Sequence, residues 1–236
     1  MTGHAIPAGY TQEHREGFTV IYLSTMPHLR DIVGAPGPLG APSRLSGRTT
    51  LRIVEPDMVV RPLVHGGLFR HITGGRFLGV GRTMQEIRVS DFLATNGIPT
   101  PEILAVRMAR AGLFYHIEVV SRLVPDAVDL LTYLEVTRDD SREFMRKAGT
   151  LIRRMHDVGV YHNDLHIKNL LLDGHGELWV LDLDKAWLFE RLPGFMRRLN
   201  VNRFLRSVRK WHGRGRIVLP GAWELSFRAG YEEEAP

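Results

Sequence analysis

The 236-residue chain predicts an α+β fold in two parts, an antiparallel sheet with one helix followed by a mainly helical half. Three observations carry this reading. Short β-branched runs broken by turns recur through residues 51–120, as in an antiparallel sheet. Apolar residues recur at helical spacing in 141–158 and again in 201–211. Between those helices Leu170-Leu171-Leu172 and Leu178-Trp179-Val180-Leu181 flank Asp173-Gly174-His175-Gly176, a small hairpin.

In chain order, residues 1–46 form a poorly defined segment. Phe18-Thr19-Val20-Ile21-Tyr22-Leu23 reads equally as a strand or a helix start, and the Pro/Gly-rich stretch 34–43 reads as loop. Residues 47–124 make a first lobe. Its runs 51–54, 58–61 and 68–72 are strands, and the helix opening at Gly81 lasts about fifteen residues, until Asn96-Gly97 and Pro99 stop it. Thr83 and Glu86 have the spacing of a capping box, which gives Glu86 a structural role beside any functional one. Runs 103–108 and 113–120 make a hairpin. Residues 125–236 make the second lobe, with helices over 126–136 and 141–158; Phe144, Ala148, Leu151, Ile152 and Met155 share one face of the longer one.

Composition narrows the possibilities. With no Cys the chain has neither disulfides nor thiolate metal sites. No run of 18 apolar residues predicts a membrane span, and the first residues lack a basic-then-apolar leader, so a cytoplasmic protein is expected. A net charge of +5 favours anionic partners. Nine Lys or Arg residues (191, 197, 198, 203, 206, 209, 210, 214, 216) fall between Arg191 and Arg216 with no Asp or Glu among them. Val201, Phe204, Leu205, Val208 and Trp211 give that segment an apolar stripe for docking on its own lobe. Its basic face suits an anionic membrane surface, bound peripherally. Few aromatics accompany the arginines, so no nucleic-acid partner is expected.

The chemistry concentrates in His162-Asn163-Asp164-Leu165-His166-Ile167-Lys168-Asn169 and, across the hairpin, in Leu181-Asp182-Leu183-Asp184. Asp164, Asn169 and Asp182 are three oxygen-bearing side chains brought to one end of a small ribbon. Phosphoryl transfer from ATP needs one carboxylate to orient the attacking hydroxyl, and hard oxygen ligands to hold Mg²⁺ against the phosphates. The segment resembles the catalytic loop and metal-binding Asp of the protein-kinase-like fold, which implies a two-lobed architecture. On that resemblance Asp164 is the catalytic Asp, while Asn169 and Asp182 bind the metal. His162 is expected to brace the loop, and Lys168 or His166 to contact the transferred phosphate, with Lys168 the better charge.

The wider pattern resembles the lipopolysaccharide core kinases, most nearly those acting on 3-deoxy-D-manno-octulosonic acid (Kdo). The likeness lies in Val59-Val60-Arg61-Pro62 with Gly66-Gly67, in Arg82-Thr83 to Glu86, in Gly97-Ile98-Pro99-Thr100-Pro101, and in Asn200-Val201-Asn202-Arg203-Phe204-Leu205-Arg206-Ser207-Val208-Arg209-Lys210. It implies transfer of the ATP γ-phosphoryl group to a sugar hydroxyl of a glycolipid acceptor at the inner face of the cytoplasmic membrane. Arg61 would clamp the nucleotide phosphates with Glu86 as its partner; Arg52 and Arg70 are its rivals. Asp164-Leu165-His166 and Asp182-Leu183-Asp184-Lys185 depart from the usual D-L-N and D-F-D-R, which leaves other acceptors open. Two further readings stand beside this one, a small-molecule or protein kinase on the same core and a nucleotide- or lipid-binding pseudokinase.

Overall fold

The structure is a computed structural model and describes residues 6–15, 17–43, 51–54, 57–63, 81–112, 114–137 and 141–233. It divides into two units, one of residues 1–88 and 101–123, the other of residues 89–100 and 124–236.

The first unit is built on a seven-stranded antiparallel sheet in the order β1-β2-β6-β7-β5-β4-β3. The strands are β1 (Tyr10–Arg15), β2 (Phe18–Leu23), β3 (Ala41–Pro42), β4 (Arg52–Val54), β5 (Met58–Pro62), β6 (Ile103–Ala111) and β7 (Phe114–Arg122). Period-2 alternation divides its side chains between two cores. Val20 and Tyr22 join Val60, Leu104, Ala105 and Val120 beneath α1 (Leu29–Val33), which adds Leu29 and Val33. Ile21, Val106, Met108, Ile117 and Val119 face the other way, against Met84 and Ile87 of α2 (Gly81–Thr95). A bulge between Ile103 and Ala105 lets the consecutive Leu104 and Ala105 serve one core. Phe18–Leu23, ambiguous in sequence, is a strand, because pairing with both β1 and β6 satisfies its backbone. The expected strand at 68–72 lies outside the described residues.

The expected capping box is corrected. Thr83 lies within α2, and its buried Oγ1 has no hydrogen-bond partner among the described residues, so it caps nothing. Glu86 instead pairs with Arg61.

In the second unit, the expected helix over 126–136 begins only at Leu130. Val128–Asp129 is a short strand, β8, paired with Leu171 and Leu172, and α3 is Leu130–Val136. Asp129 caps α3, accepting from the Thr132 N–H at 3.1 Å. Helix α4 (Ser141–Asp157) buries Phe144, Met145, Ala148, Leu151, Ile152 and Met155, the stripe its sequence predicts. The basic segment forms α5 (Gly194–Gly213), with Val201, Phe204, Leu205 and Val208 buried. The last helix, α6 (Trp223–Glu232), lies against α4 at a reciprocal glycine contact. A Cβ on Gly149 would strike the Phe227 carbonyl, and one on Gly230 would strike that of Arg146. Among the described residues no helix is long and apolar enough to cross a membrane.

Candidate active site

The site is an excursion of the chain that leaves and rejoins one strand pair. Strand β9 (Val160–His162) enters it, and β12 (Ala186–Leu188) leaves it, with His162 opposite Ala186. Between them run the Asp164 loop, a 3₁₀ turn over Ile167–Asn169, strand β10 (Leu170–Leu172), strand β11 (Leu178–Val180) and a 3₁₀ turn over Leu183–Lys185. The predicted hairpin forms, with Leu170 opposite Val180. At its roots the Leu181 N–H donates to the Asn169 carbonyl at 2.9 Å. Asn169 and Asp182 therefore stand on neighbouring strand ends, as the sequence predicts.

One imidazole ties the Asp164 loop to the far side of the hairpin. His162 Nε2 is 2.8 Å from the Leu181 carbonyl, an acceptor, so it carries the proton. Nδ1 accepts from the Asp164 N–H at 3.2 Å. Complete burial lowers the His162 pKa, which keeps the ring neutral in that tautomer. With both nitrogens engaged on backbone, it is a brace, as expected, and not a base.

The Asn169 carboxamide is oriented in the same way. Its Nδ2 donates to the Asp164 carbonyl at 2.9 Å, which leaves Oδ1 as the free end of the amide dipole. Asp182 has φ 61° and ψ 58°, left-handed backbone that only Gly, Asn and Asp adopt at modest cost. Such strain accumulates where a side chain is aimed for function. An amide oxygen and a carboxylate make a hard-oxygen pair, and magnesium characteristically takes one or two protein ligands and fills the rest with water and phosphate. The residues present fit that ion.

Sequence reasoning missed three residues. Lys185 Nζ lies 3.9 Å from Asp164 Oδ2, the one cation within 4 Å of that carboxylate among the described residues. Only the return of β12 to β9 brings it there, and no local pattern announces it. Asn200 and Ser207 belong to a quoted motif, but their work emerges only in the structure. Seven residues apart, they share one face of α5. Asn200, fully buried, donates from Nδ2 to the His162 carbonyl at 2.7 Å and accepts the His162 N–H at Oδ1, 3.1 Å. Ser207 Oγ accepts the Ile167 N–H at 3.0 Å and donates to the Phe204 carbonyl at 2.7 Å. The helix thus clamps the loop on both sides of Asp164. Behind Asn200 stands His156, with Nε2 3.1 Å from Asn200 Oδ1 and Nδ1 2.7 Å from the Tyr231 hydroxyl. Burial lowers the His156 pKa to about 4.

In the first unit Arg61, on β5, is paired with the buried Glu86 of α2. Arg52 is engaged by Glu118, which Arg107 also meets, Nε to Oε2 2.7 Å. Arg70 and Gly66-Gly67 lie outside the described residues. In the second unit Lys168 is turned toward α5, its Nζ 5.2 Å from the centre of the Trp211 ring.

A sheet-rich unit with a helix carboxylate paired to a strand arginine, and a helical unit holding an H-x-D-x₄-N loop beside a hairpin Asp, define a protein-kinase-like phosphotransferase. Comparison with known proteins gives the family. Residues 44–231 match the model of the lipopolysaccharide kinase (Kdo/WaaP) family, and the chain belongs to it. It is 33% identical over 172 residues to a 3-deoxy-D-manno-octulosonic acid kinase of Vibrio parahaemolyticus, covering 70% of this chain and 71% of the relative. The kinase of the same description from Haemophilus influenzae is 30% identical over 186 residues, covering 75% and 76%. Among solved structures, one described as WaaP in complex with acyl carrier protein superposes with a TM-score of 0.62 at 20% identity, covering 92% of this chain and 89% of that one. At that identity the likeness shows the fold.

Proposed function

We propose that the protein transfers the γ-phosphoryl group of Mg-ATP to a sugar hydroxyl of the lipopolysaccharide inner core, Kdo on a lipid A precursor. The observation that carries this reading is the clamped loop. Asp164 is fixed through its own N–H by His162 and through its carbonyl by Asn169, while its carboxylate remains a quarter exposed. A carboxylate so held serves to orient the acceptor hydroxyl and to take its proton as the new O–P bond forms. Asn169 Oδ1 and Asp182 would hold Mg²⁺, which when bound neutralises phosphate charge. Arg61, kept in place by Glu86, would meet the nucleotide phosphates as a planar fork. Lys185 sets a positive charge beside the Asp164 carboxylate, where the phosphoryl group would arrive.

The acceptor is proposed on the strength of the Kdo kinases among the relatives. The surface of the basic segment 191–216 supports a peripheral site of action at the inner membrane. Three of the nine basic residues are neutralised by acids from elsewhere, Arg197 by Asp157, Arg209 by Glu224 and Arg216 by Glu135. The other six make no ion pair with a described residue. Phe195 and Leu199, one turn apart on α5, are more than half exposed beside them. Apolar side chains among arginines suit an anionic bilayer, at about 1 kcal/mol per basic residue near the surface.

The test is to incubate the protein with labelled ATP and a panel of Kdo-lipid, heptose-lipid and peptide acceptors. Label is expected on the Kdo-lipid. Label on heptose-lipid alone would move the acceptor assignment, and label on peptide alone would overturn it. Co-sedimentation with vesicles should rise with anionic lipid and fall with salt.

A further inference from the structure

The C-terminal end of α5 gathers four cations around one indole. Lys168 Nζ lies 5.2 Å from the Trp211 ring centre, Lys210 Nζ 5.3 Å, and the guanidinium carbons of Arg214 and Arg216 5.5 and 5.8 Å. The way the helix ends builds this cluster. The Gly215 N–H donates to the His212 carbonyl at 2.9 Å, and the Arg216 N–H to the Trp211 carbonyl at 3.1 Å. That is the Schellman pattern of bonds, and Gly215 supplies its left-handed residue with φ 67°. The motif usually seats an apolar residue on the helix at the place Arg216 occupies. Here the turn folds Arg216 back over Trp211.

Some positive charge at a helix C-terminus is expected, because the unpaired carbonyls there attract it. Two features exceed that. Lys168 comes from another element, the catalytic loop, four residues beyond Asp164. Of the four cations only Arg216 has a carboxylate partner among the described residues, Glu135 at 2.7 Å. Cation–π contact with one ring is worth about 0.5–1 kcal/mol at an exposed site and does not remove the mutual repulsion of four like charges. An oxyanion placed among them does. The cluster is exposed, and it is anchored to the same helix that clamps the Asp164 loop through Asn200 and Ser207.

We infer that Lys168, Lys210, Arg214 and Arg216, arrayed around Trp211, form an oxyanion subsite that binds a phosphate or carboxylate of the acceptor and so positions its hydroxyl at Asp164. This rests on the kinase reading above, and it moves Lys168 from the nucleotide to the acceptor. Guanidinium forks and ammonium groups on an aromatic platform suit a doubly charged, multi-oxygen group. A neutral sugar gains nothing from them.

The test has one arm that does not depend on catalysis. Inorganic phosphate is titrated into the full chain without divalent metal while tryptophan emission is followed, with Trp211→Phe as the blank for Trp179, Trp187 and Trp223. A saturable change is expected in the parent, absent from Trp211→Phe and at least tenfold weaker in Lys210→Ala/Arg214→Ala of matched melting temperature. In the second arm the double variant should raise KM for an anionic glycolipid acceptor about tenfold while KM for ATP stays put. In the third, the double variant should lose no more sedimentation with vesicles of phosphatidylglycerol in phosphatidylcholine than Arg198→Ala/Arg203→Ala, which removes two cations from the same basic segment away from Trp211. Equal phosphate affinity in parent and double variant would overturn the subsite. Loss of vesicle binding beyond that of the Arg198→Ala/Arg203→Ala control, in step with phosphate binding, would overturn its assignment to the acceptor and give the cluster to the bilayer. Phosphate binding as expected, with no acceptor phosphorylated by the parent, would leave the subsite standing and refute the kinase reading.

Discussion

Around Asp164 the chain is held by neutral hydrogen bonds to backbone, whereas Arg61 on β5 is held by an ion pair with the carboxylate of Glu86. The loop has two side chains of α5, one imidazole and one carboxamide fixing its main chain, each reporting to a different peptide group. Such bonds are short-range, indifferent to salt, and costly to break only because the orphaned groups are buried. The arginine is positioned by charge. Its side chain is about a third exposed while that of Glu86 is almost wholly buried, so the pair is asymmetric: loss of the arginine takes a positive charge away from a buried carboxylate. The comparison teaches that one region is built for fixed geometry and the other for adjustable charge. Variants can test whether each behaves that way.

The largest effect is expected at Asp182. Asp182→Asn keeps the shape and tolerates the left-handed backbone, so the melting temperature should stay within a few degrees. It removes the charge of the proposed cation ligand, and turnover should fall to assay background. Near-normal transfer by this variant would remove Asp182 from the metal site.

Asn200→Ala should show the loop's dependence on neutral bonds. It orphans the buried N–H and C=O of His162 together with the donor of His156. At about 1–3 kcal/mol for each stranded group, a loss of about 3–5 kcal/mol in stability is expected, measured by urea unfolding. A loss under about 1 kcal/mol would mean the clamp is incidental.

His156 gives the pH dependence of the same network. Its pKa is lowered from 6.5 to about 4 in the folded protein, so the unfolded chain binds more protons between those values. The stability it secures is complete above pH 6.5 and declines as pH falls toward 4, by at most about 3 kcal/mol. His162, also lowered by burial, acts in the same direction. Unfolding followed from pH 7 to pH 4.5 should show this decline, and His156→Gln should flatten it. An unchanged slope would place the acid sensitivity elsewhere.

Arg61→Ala is expected to raise the apparent ATP constant about tenfold, roughly 1.4 kcal/mol, and to lower the rate with it. Arg61→Lys, which keeps the charge but loses the fork, should fall between. The parent's ATP constant should weaken with salt more than its melting temperature does. If Arg52→Ala reproduces the defect and Arg61→Ala does not, the phosphate contact belongs to the neighbouring strand.

Much of the site was legible because its residues are close in sequence. Two apolar triplets around Asp-Gly-His-Gly define the hairpin register, and the register alone puts Asn169 and Asp182 at its roots. Helices α4 and α5 were legible from buried stripes that repeat at helical spacing. What escaped depends on tertiary closure. Lys185 reaches Asp164 only through the β9–β12 pairing, and Asn200 and Ser207 gain meaning only when α5 lies against the loop. The capping box failed because Thr83 is swallowed by its helix and Glu86 has a stronger partner in Arg61. Strand β1 is an edge, largely polar and half exposed, so alternation left little trace in Tyr10–Arg15. Helix α6 is short, and its seat on α4 depends on the facing Gly149 and Gly230, a contact no local pattern encodes.

On the proposed function, the clamped loop aims the Asp164 carboxylate at the acceptor hydroxyl. Asp164→Ala leaves Asn169 and Asp182 in place, and the Asp164 N–H and carbonyl still meet His162 and Asn169. Its rate of phosphoryl transfer and its Mg-ATP affinity by calorimetry, measured on one preparation, separate the roles. The rate should fall by about 10²–10⁴-fold, the usual span for general acid–base catalysis, with affinity close to that of the parent. A variant that keeps its rate but loses Mg-ATP binding would contradict the assignment and make Asp164 a metal or scaffold residue.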